Sequence, residues 1–190
     1  MRRLFSAVLV TSCLAFAAMP AAWQFPAPAD SQSLAPYVPT PQDVVDRMLA
    51  LAGVGATDVV YDLGCGDGRI VITAAKKFGA RGVGVDIDPD RIKESEANAK
   101  AAGVEGQVSF KLQDALSVDV SPATVVTLYL LSSSNAKLRP MLTKQLRPGA
   151  RIVSHAFGMG DWKPEKTDVF TDAGGTQRTL YRWVTDGTPR

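Results

Sequence analysis

The stretch Asp62-Leu63-Gly64-Cys65-Gly66-Asp67-Gly68 sets three glycines among two carboxylates, directly after an apolar run and directly before a helical one. Glycine lets a chain turn sharply and bring its backbone N–H groups against a ligand with no side chain between them. A dinucleotide-binding loop would carry Gly or Ala at position 69, but Arg69 stands there, and Asp62 precedes the glycines. A carboxylate at that point suits a ligand with an ammonium group better than a pyrophosphate.

Two further acids stand at regular intervals. Asp86 closes the next apolar run, 24 residues after Asp62, where a carboxylate with Ile87 beside it can accept both hydroxyls of a ribose. Asp114, in Gln113-Asp114-Ala115, follows the third such run and is placed to accept from the amino group of an adenine. Either acid alone has a plainer explanation in turn formation or capping. Together with the loop they point to S-adenosyl-L-methionine, whose ammonium, ribose and adenine would each meet a carboxylate. The expected cofactor contacts are Asp62, Gly64, Cys65, Gly66, Asp67, Gly68, Asp86, Ile87, Gln113, Asp114 and Ala115.

Such contacts require strands at 59–63, 82–85, 108–112, 124–130 and 150–157, and each of these reads as a short apolar run. Helical patterns alternate with them. One carries Ile70, Val71, Ala74, Ala75 and Phe78, and another is capped by Asp88, opened by Pro89 and stopped at Gly103. Ahead of the first strand, Thr40-Pro41-Gln42-Asp43 predicts a helix start with Thr40 as cap and Pro41 in the first turn. Pro140 predicts a break in 132–146, with a fresh helix starting at that proline and Leu138, Leu142 and Leu146 facing the sheet. Segments 168–171 and 179–185, joined by glycine-rich residues, read as an antiparallel hairpin. The fold class is α/β: a Rossmann-like, doubly wound, mainly parallel seven-stranded sheet with a C-terminal antiparallel hairpin.

The chain has 190 residues, enough for one such domain, expected at 37–190 and acting as a monomer. Arg2 and Arg3 precede an uncharged stretch at 4–19 and then small residues including Ala27-Pro28-Ala29, the pattern of a signal peptide or membrane anchor over 1–29. Residues 30–36 read as a Pro-rich linker. The positive residues ahead of the apolar run predict a domain exported to the periplasm or medium, or anchored through its N-terminus. Of twenty-one Lys and Arg, two lie in the leader, leaving nineteen to balance nineteen Asp and Glu. A neutral body argues against tight phosphate-driven nucleic-acid binding.

Three segments resemble a known family: Tyr37-Val38-Pro39-Thr40-Pro41, Asp62 through Val71 with its Gly-Asp-Gly-Arg continuation, and Val153-Ser154 through Trp162. The chain is similar over 37–162 to the ATP synthase c-subunit and adenine nucleotide translocase lysine methyltransferases. The resemblance implies that Tyr37 and Thr40 close over the cofactor and that the acceptor is a lysine amine on a protein, with a membrane-associated substrate as one form. Cys65 replaces the serine frequent in that motif, and the leader is unlike a mitochondrial address.

Methyl transfer to an amine needs a neutral nucleophile held near the methyl carbon with water excluded. An apolar slot serves this by disfavouring the ammonium form. Tyr129, Phe157 and Trp162 at strand ends are the expected walls; the alternative is that they are ordinary core or rim aromatics. His155, the only histidine, falls in the fifth strand and reads as a packing or hydrogen-bonding residue, with a general base as the alternative. No Asn/Asp-Pro-Pro-aromatic tetrapeptide follows the fourth strand, which disfavours adenine or glutamine methylation, and no metal-ligand cluster stands out. Small-molecule methylation, RNA methylation and cofactor binding without catalysis remain as alternative readings.

Overall fold

Strands buried on both faces must be apolar along their whole length. Val59-Val60-Tyr61 and Val125-Val126 meet that demand, and they form the middle of the sheet in the computed structural model, which describes residues 33–190. The expected leader at 1–29 and the first residues of the linker lie outside the described residues.

The elements in chain order are α1 (Gln42–Ala52), β1 (Val59–Leu63), α2 (Arg69–Phe78), β2 (Arg81–Asp86), α3 (Pro89–Ala102), β3 (Val108–Leu112), β4 (Val125–Leu128), α4 (Ser132–Gln145), β5 (Arg151–His155), β6 (Lys166–Thr171) and β7 (Gln177–Val184). Strand order is β3-β2-β1-β4-β5-β7-β6. The first five strands are parallel, β7 runs antiparallel to β5, and β6 antiparallel to β7. The order reverses direction between β1 and β4, and a cleft forms at such a point beyond the carboxyl ends of the strands.

Each face of the sheet has its own core. Val44 and Met48 of α1 and Val71 and Ala74 of α2 cover one face, while Leu138 and Leu142 of α4 pack on the other with Val126 and Trp183. Burial of each large aliphatic side chain contributes on the order of 1.5–3 kcal/mol. At the far end of the sheet from the cleft, the buried Asp58 carboxylate pairs with Arg151 and accepts from Thr124 Oγ1 at 2.7 Å and the Gly55 N–H at 2.8 Å. Arg151 in turn donates to the Ala52 and Gly53 carbonyls, which closes the end of α1.

Two local expectations give way to packing. Helix α4 runs unbroken through Pro140. The proline leaves the Ala136 carbonyl without its helical donor, but Leu138 and Leu142 lie one turn apart, on either side of it, and both are fully buried. Keeping that pair on the sheet outweighs the lost hydrogen bond, and Thr143 Oγ1 donates to the Arg139 carbonyl at 3.0 Å within the same turn. At α1 the cap is Pro41, not Thr40, and no side chain caps the helix. Thr40 is instead buried, with its carbonyl accepting from Arg69 Nη1 at 2.8 Å.

Candidate active site

The cleft collects strand ends. β1 delivers Asp62 and the glycine loop, β2 delivers Asp86 and Ile87, the turn after β3 delivers Gln113, Asp114 and Ala115, and the segment after β4 delivers Tyr129 and Leu130. The remaining side is residues 33–40, a strap that crosses the opening before α1. Its inner end is tied to α4, where Ser134 Oγ donates to the Leu34 carbonyl.

Asp62 is buried, and its Oδ1 accepts from Thr127 Oγ1 at 2.7 Å. Among the described residues nothing donates to its Oδ2. Burial, reinforced by repulsion from Asp86 and Asp67, pushes its pKa up to about 7 against the opposing hydrogen bond from Thr127. Such a group is relieved by an incoming cation.

Asp86 plays two parts. Its Oδ2 accepts the Gly66 N–H at 2.8 Å and its Oδ1 accepts the Asp88 N–H at 3.1 Å. A carboxylate offers about four acceptor positions, so both oxygens retain capacity towards the cleft. Asp114 also combines roles: it lines the cleft while its Oδ1 accepts from the Leu116 N–H at 2.9 Å.

The glycine loop differs from the expectation of free N–H groups. Gly64 and Cys65 donate to the Val85 carbonyl at 2.8 and 3.0 Å, Gly66 to Asp86, and Gly68 to the Cys65 carbonyl at 2.9 Å. A phosphate loop aims such donors at the anion, whereas this loop commits them to the fold and offers the cleft bare backbone. Gly66 has φ of 53°, and a Cβ there would collide with Cε2 of the Tyr37 ring. Gly68 does not line the cleft: it precedes α2 with φ of 78°, and a Cβ on it would meet Phe110 and Ser95 in the core. Its requirement is packing. Cys65 is buried, and burial together with Asp62 and Asp86 raises its thiol pKa, so it presents a small neutral surface.

Tyr37 closes the strap over Gly66. The Arg91 guanidinium lies over its ring at 4.7 Å, and Arg91 pairs with Glu94. Asp88, the expected cap of α3, and Arg91 in its first turn also line the cleft; Arg91 has no motif, and its signal is its position shortly after the Asp86 strand end. Asp67 pairs with Arg69, whose guanidinium keeps the carboxylate ionised below its usual range despite burial.

Of the expected acceptor walls, Tyr129 lines the cleft. Phe157 stands behind it, ring centroids 6.3 Å apart. Trp162 lies elsewhere: a bridge between Met159 and Trp162 reverses the chain and sets its ring 6.0 Å from Trp183, in the α4-side core. His155 is fully buried and does not line the cleft; burial and the nearby Arg178 push its pKa down to about 4 despite Asp172. It is a neutral packing residue, as the strand-end reading has it, and no base for a substrate in the cleft.

The residues present fit S-adenosyl-L-methionine: an unpartnered oxygen of a buried carboxylate for an ammonium, a carboxylate with spare acceptor capacity at β2, and a backbone surface that a Cβ would fill. This sheet, with an acid-lined cleft at its reversal point, defines a Rossmann-like S-adenosylmethionine-dependent methyltransferase. Within that class the chain belongs to the ANTKMT methyltransferase domain family, whose model matches residues 62–166. It is 49% identical over 150 residues, 78% of this chain and 92% of the relative, to a protein-lysine N-methyltransferase of Saccharolobus islandicus. It is 32% identical over 141 residues to the ATP synthase c-subunit lysine N-methyltransferase of Xenopus laevis, covering 74% of this chain and 62% of that one. Among solved structures it is similar to an RNA methyltransferase from Salinibacter ruber in complex with S-adenosyl-L-homocysteine, 56% identical with a TM-score of 0.75 over 80% of this chain and 97% of that one.

Proposed function

We propose that this enzyme transfers the methyl group to a lysine amine of a protein. The carrying observation is the charge of the cleft: Asp62, Asp67, Asp86, Asp88 and Asp114 line it against two guanidiniums, Arg69 and Arg91, both already paired with acids. An excess of carboxylates draws in a cationic cofactor and then a cationic side chain. Similarity to the Saccharolobus lysine methyltransferase supports the same acceptor.

In this reading Asp62 takes the cofactor's ammonium, Asp86 its ribose hydroxyls and Asp114 its adenine amino group, with Ile87, Gln113 and Ala115 beside them. Tyr37 and Thr40 close the strap. The bound sulfonium supplies an electrophilic methyl group. Tyr129 and Leu130 form the apolar end that strips water from the arriving amine and favours its neutral form. His155 takes no proton, so the amine's proton leaves to solvent before the slot is filled.

RNA is the second reading, because the similar Salinibacter protein is described as an RNA methyltransferase. The neutral body and the acidic cleft count against it. Incubation with methyl-labelled cofactor, in parallel with a membrane protein fraction, a soluble fraction, total RNA and small-molecule extracts, decides the class. Label on trimethyl-, dimethyl- or monomethyl-lysine after proteolysis is the expected result; label confined to RNA or to small molecules overturns the proposal. The two protein fractions also report whether the substrate is membrane-associated. Sedimentation of the purified domain tests the monomer.

For the leader we propose export or anchoring outside the cytoplasm, supported by Arg2, Arg3, the uncharged 4–19 stretch and Ala27-Pro28-Ala29. A reporter that fluoresces only in the cytoplasm, fused after Arg190, should stay dark in an intact fusion. Bright cells would place the domain inside.

A further inference from the structure

Just beyond the last pair of the β4–β5 ladder, Leu128 and Ser154, two aromatic rings meet. Thr127 of β4 pairs with Val153 of β5, so two residues further along the same face come Tyr129 and His155. Their rings stack with centroids 4.0 Å apart and planes 30° from parallel. One face of Tyr129 therefore belongs to His155, while the residue itself lines the cleft.

His155 is held where it is from several directions. The Ala156 N–H donates to the Thr179 carbonyl at 2.8 Å, and the Phe157 N–H turns back to the His155 carbonyl at 2.8 Å. That tight turn forces Ala156 to φ of 64°, a left-handed conformation that a residue with a Cβ adopts at a cost. Ser154 Oγ donates to the Phe157 carbonyl at 2.7 Å, and the fully buried Asn135 Nδ2 donates to Ser154 Oγ, to the Phe157 carbonyl and to the Gly158 carbonyl. Strain kept in place by such a network marks a position whose geometry matters.

Neither ring nitrogen of His155 has a hydrogen-bond partner among the described residues. What the imidazole offers its surroundings is its face, and the face is applied to Tyr129. We propose that His155 is a positioning residue: by stacking beneath Tyr129 it sets where that ring stands in the cleft wall, and so how the methyl acceptor approaches. Flanking Asp172 and Arg178 form their own ion pair at 2.7 Å and take no bond from the imidazole. The inference rests on Tyr129 facing the acceptor, as proposed above.

The test compares His155→Phe, which keeps an aromatic face and removes both unpartnered nitrogens, with His155→Leu, which keeps bulk and removes the face. The full chain is labelled with carbon-13 on tyrosine, and the Tyr129 ring signal is assigned by its absence in Tyr129→Phe. In wild type and His155→Phe the Tyr129 ring signal should show the shift of a stacked ring; in His155→Leu it should move towards that of an unstacked tyrosine. This readout needs no acceptor, so it stands even if the lysine reading fails. With a lysine acceptor, kcat should fall about tenfold or more in His155→Leu, the scale on which small misplacements act. His155→Phe should stay within about threefold, and cofactor affinity by calorimetry should match wild type in both. Thermal melts should place His155→Phe at or above wild type. Failure of His155→Phe to keep the ring shift and the rate while folding normally would overturn the proposal. So would a His155→Leu enzyme with unmoved Tyr129 signals and full kcat.

Discussion

Asp86 Oδ2 accepts the backbone N–H of Gly66 at 2.8 Å, so the end of the second strand holds the tip of the glycine loop. The carboxylate proposed to accept the ribose hydroxyls is thus also part of the wall formed by the glycine loop. Its Oδ1 completes the turn into α3 through the Asp88 N–H. On the proposed role, binding and local stability are coupled at this one side chain.

Asp86→Ala should therefore lower both. Removing an acceptor from two backbone donors costs about 1–3 kcal/mol for each that finds no water, and loss of the bidentate ribose acceptor should reduce cofactor affinity by roughly a hundredfold or more. Urea unfolding and titration calorimetry on one preparation give the two numbers. Wild-type stability with lost affinity would mean that Gly66 has another acceptor.

Gly66→Ala should open the strap. A Cβ at that position meets the Tyr37 ring, and a residue with a side chain at this φ carries roughly 1–2 kcal/mol of strain. The clash is separable from the strain: adding Tyr37→Ala relieves only the first. Cofactor affinity of the double variant should exceed the value expected if the two single losses simply added. Strict additivity would place the two residues out of contact in solution.

The Arg91 guanidinium over Tyr37 should slow cofactor escape. A cation–π contact at an exposed site is a modest attraction, so Arg91→Ala should release the cofactor about two- to fivefold faster, measured by stopped flow. The melting temperature should hold, because Arg91 is otherwise engaged only with exposed acids. An unchanged dissociation rate would remove Arg91 from the strap.

Most of this site was readable before folding because its parts stand at strand ends, where an apolar run stops and an acid follows. Asp62, Asp86 and Asp114 are of that kind, and the five parallel strands fall within a few residues of their expected bounds. What the residues could not convey depends on the third dimension. Trp162 follows the fifth strand closely in sequence, yet the reversal at Met159 sets it half-buried against the α4-side core beside Trp183. Pro140 looks like a helix end because its local cost is visible and the burial of Leu138 and Leu142 is not. Arg91 carries no motif at all. Its place over Tyr37 depends on which face α3 turns to the strap.

The last prediction concerns pH and rests on Asp62. Burial, with Asp86 and Asp67 nearby, pushes its pKa up to about 7, while the unfolded chain ionises an aspartate near 4. At pH below about 4 both states hold the proton and Asp62 contributes nothing. Between about 4 and 7 the folded protein keeps a proton that the unfolded chain has lost, so stability falls as pH rises, by up to about 4 kcal/mol in total. Above about 7 the penalty is complete. Cofactor binding has the opposite slope, because an ammonium beside Asp62 favours the ionised carboxylate. Affinity should rise by up to about tenfold per pH unit from pH 5 to 7 and then level off. Asp62→Asn keeps the shape and an acceptor for Thr127 but cannot ionise. It should bind weakly with a flat profile over the same range, and unfold at higher denaturant than wild type at pH 8. Calorimetry at five pH values and urea melts at pH 5 and 8 measure both slopes. If Asp62→Asn retained the wild-type slope in affinity, another group would be titrating and the ammonium would not sit at Asp62.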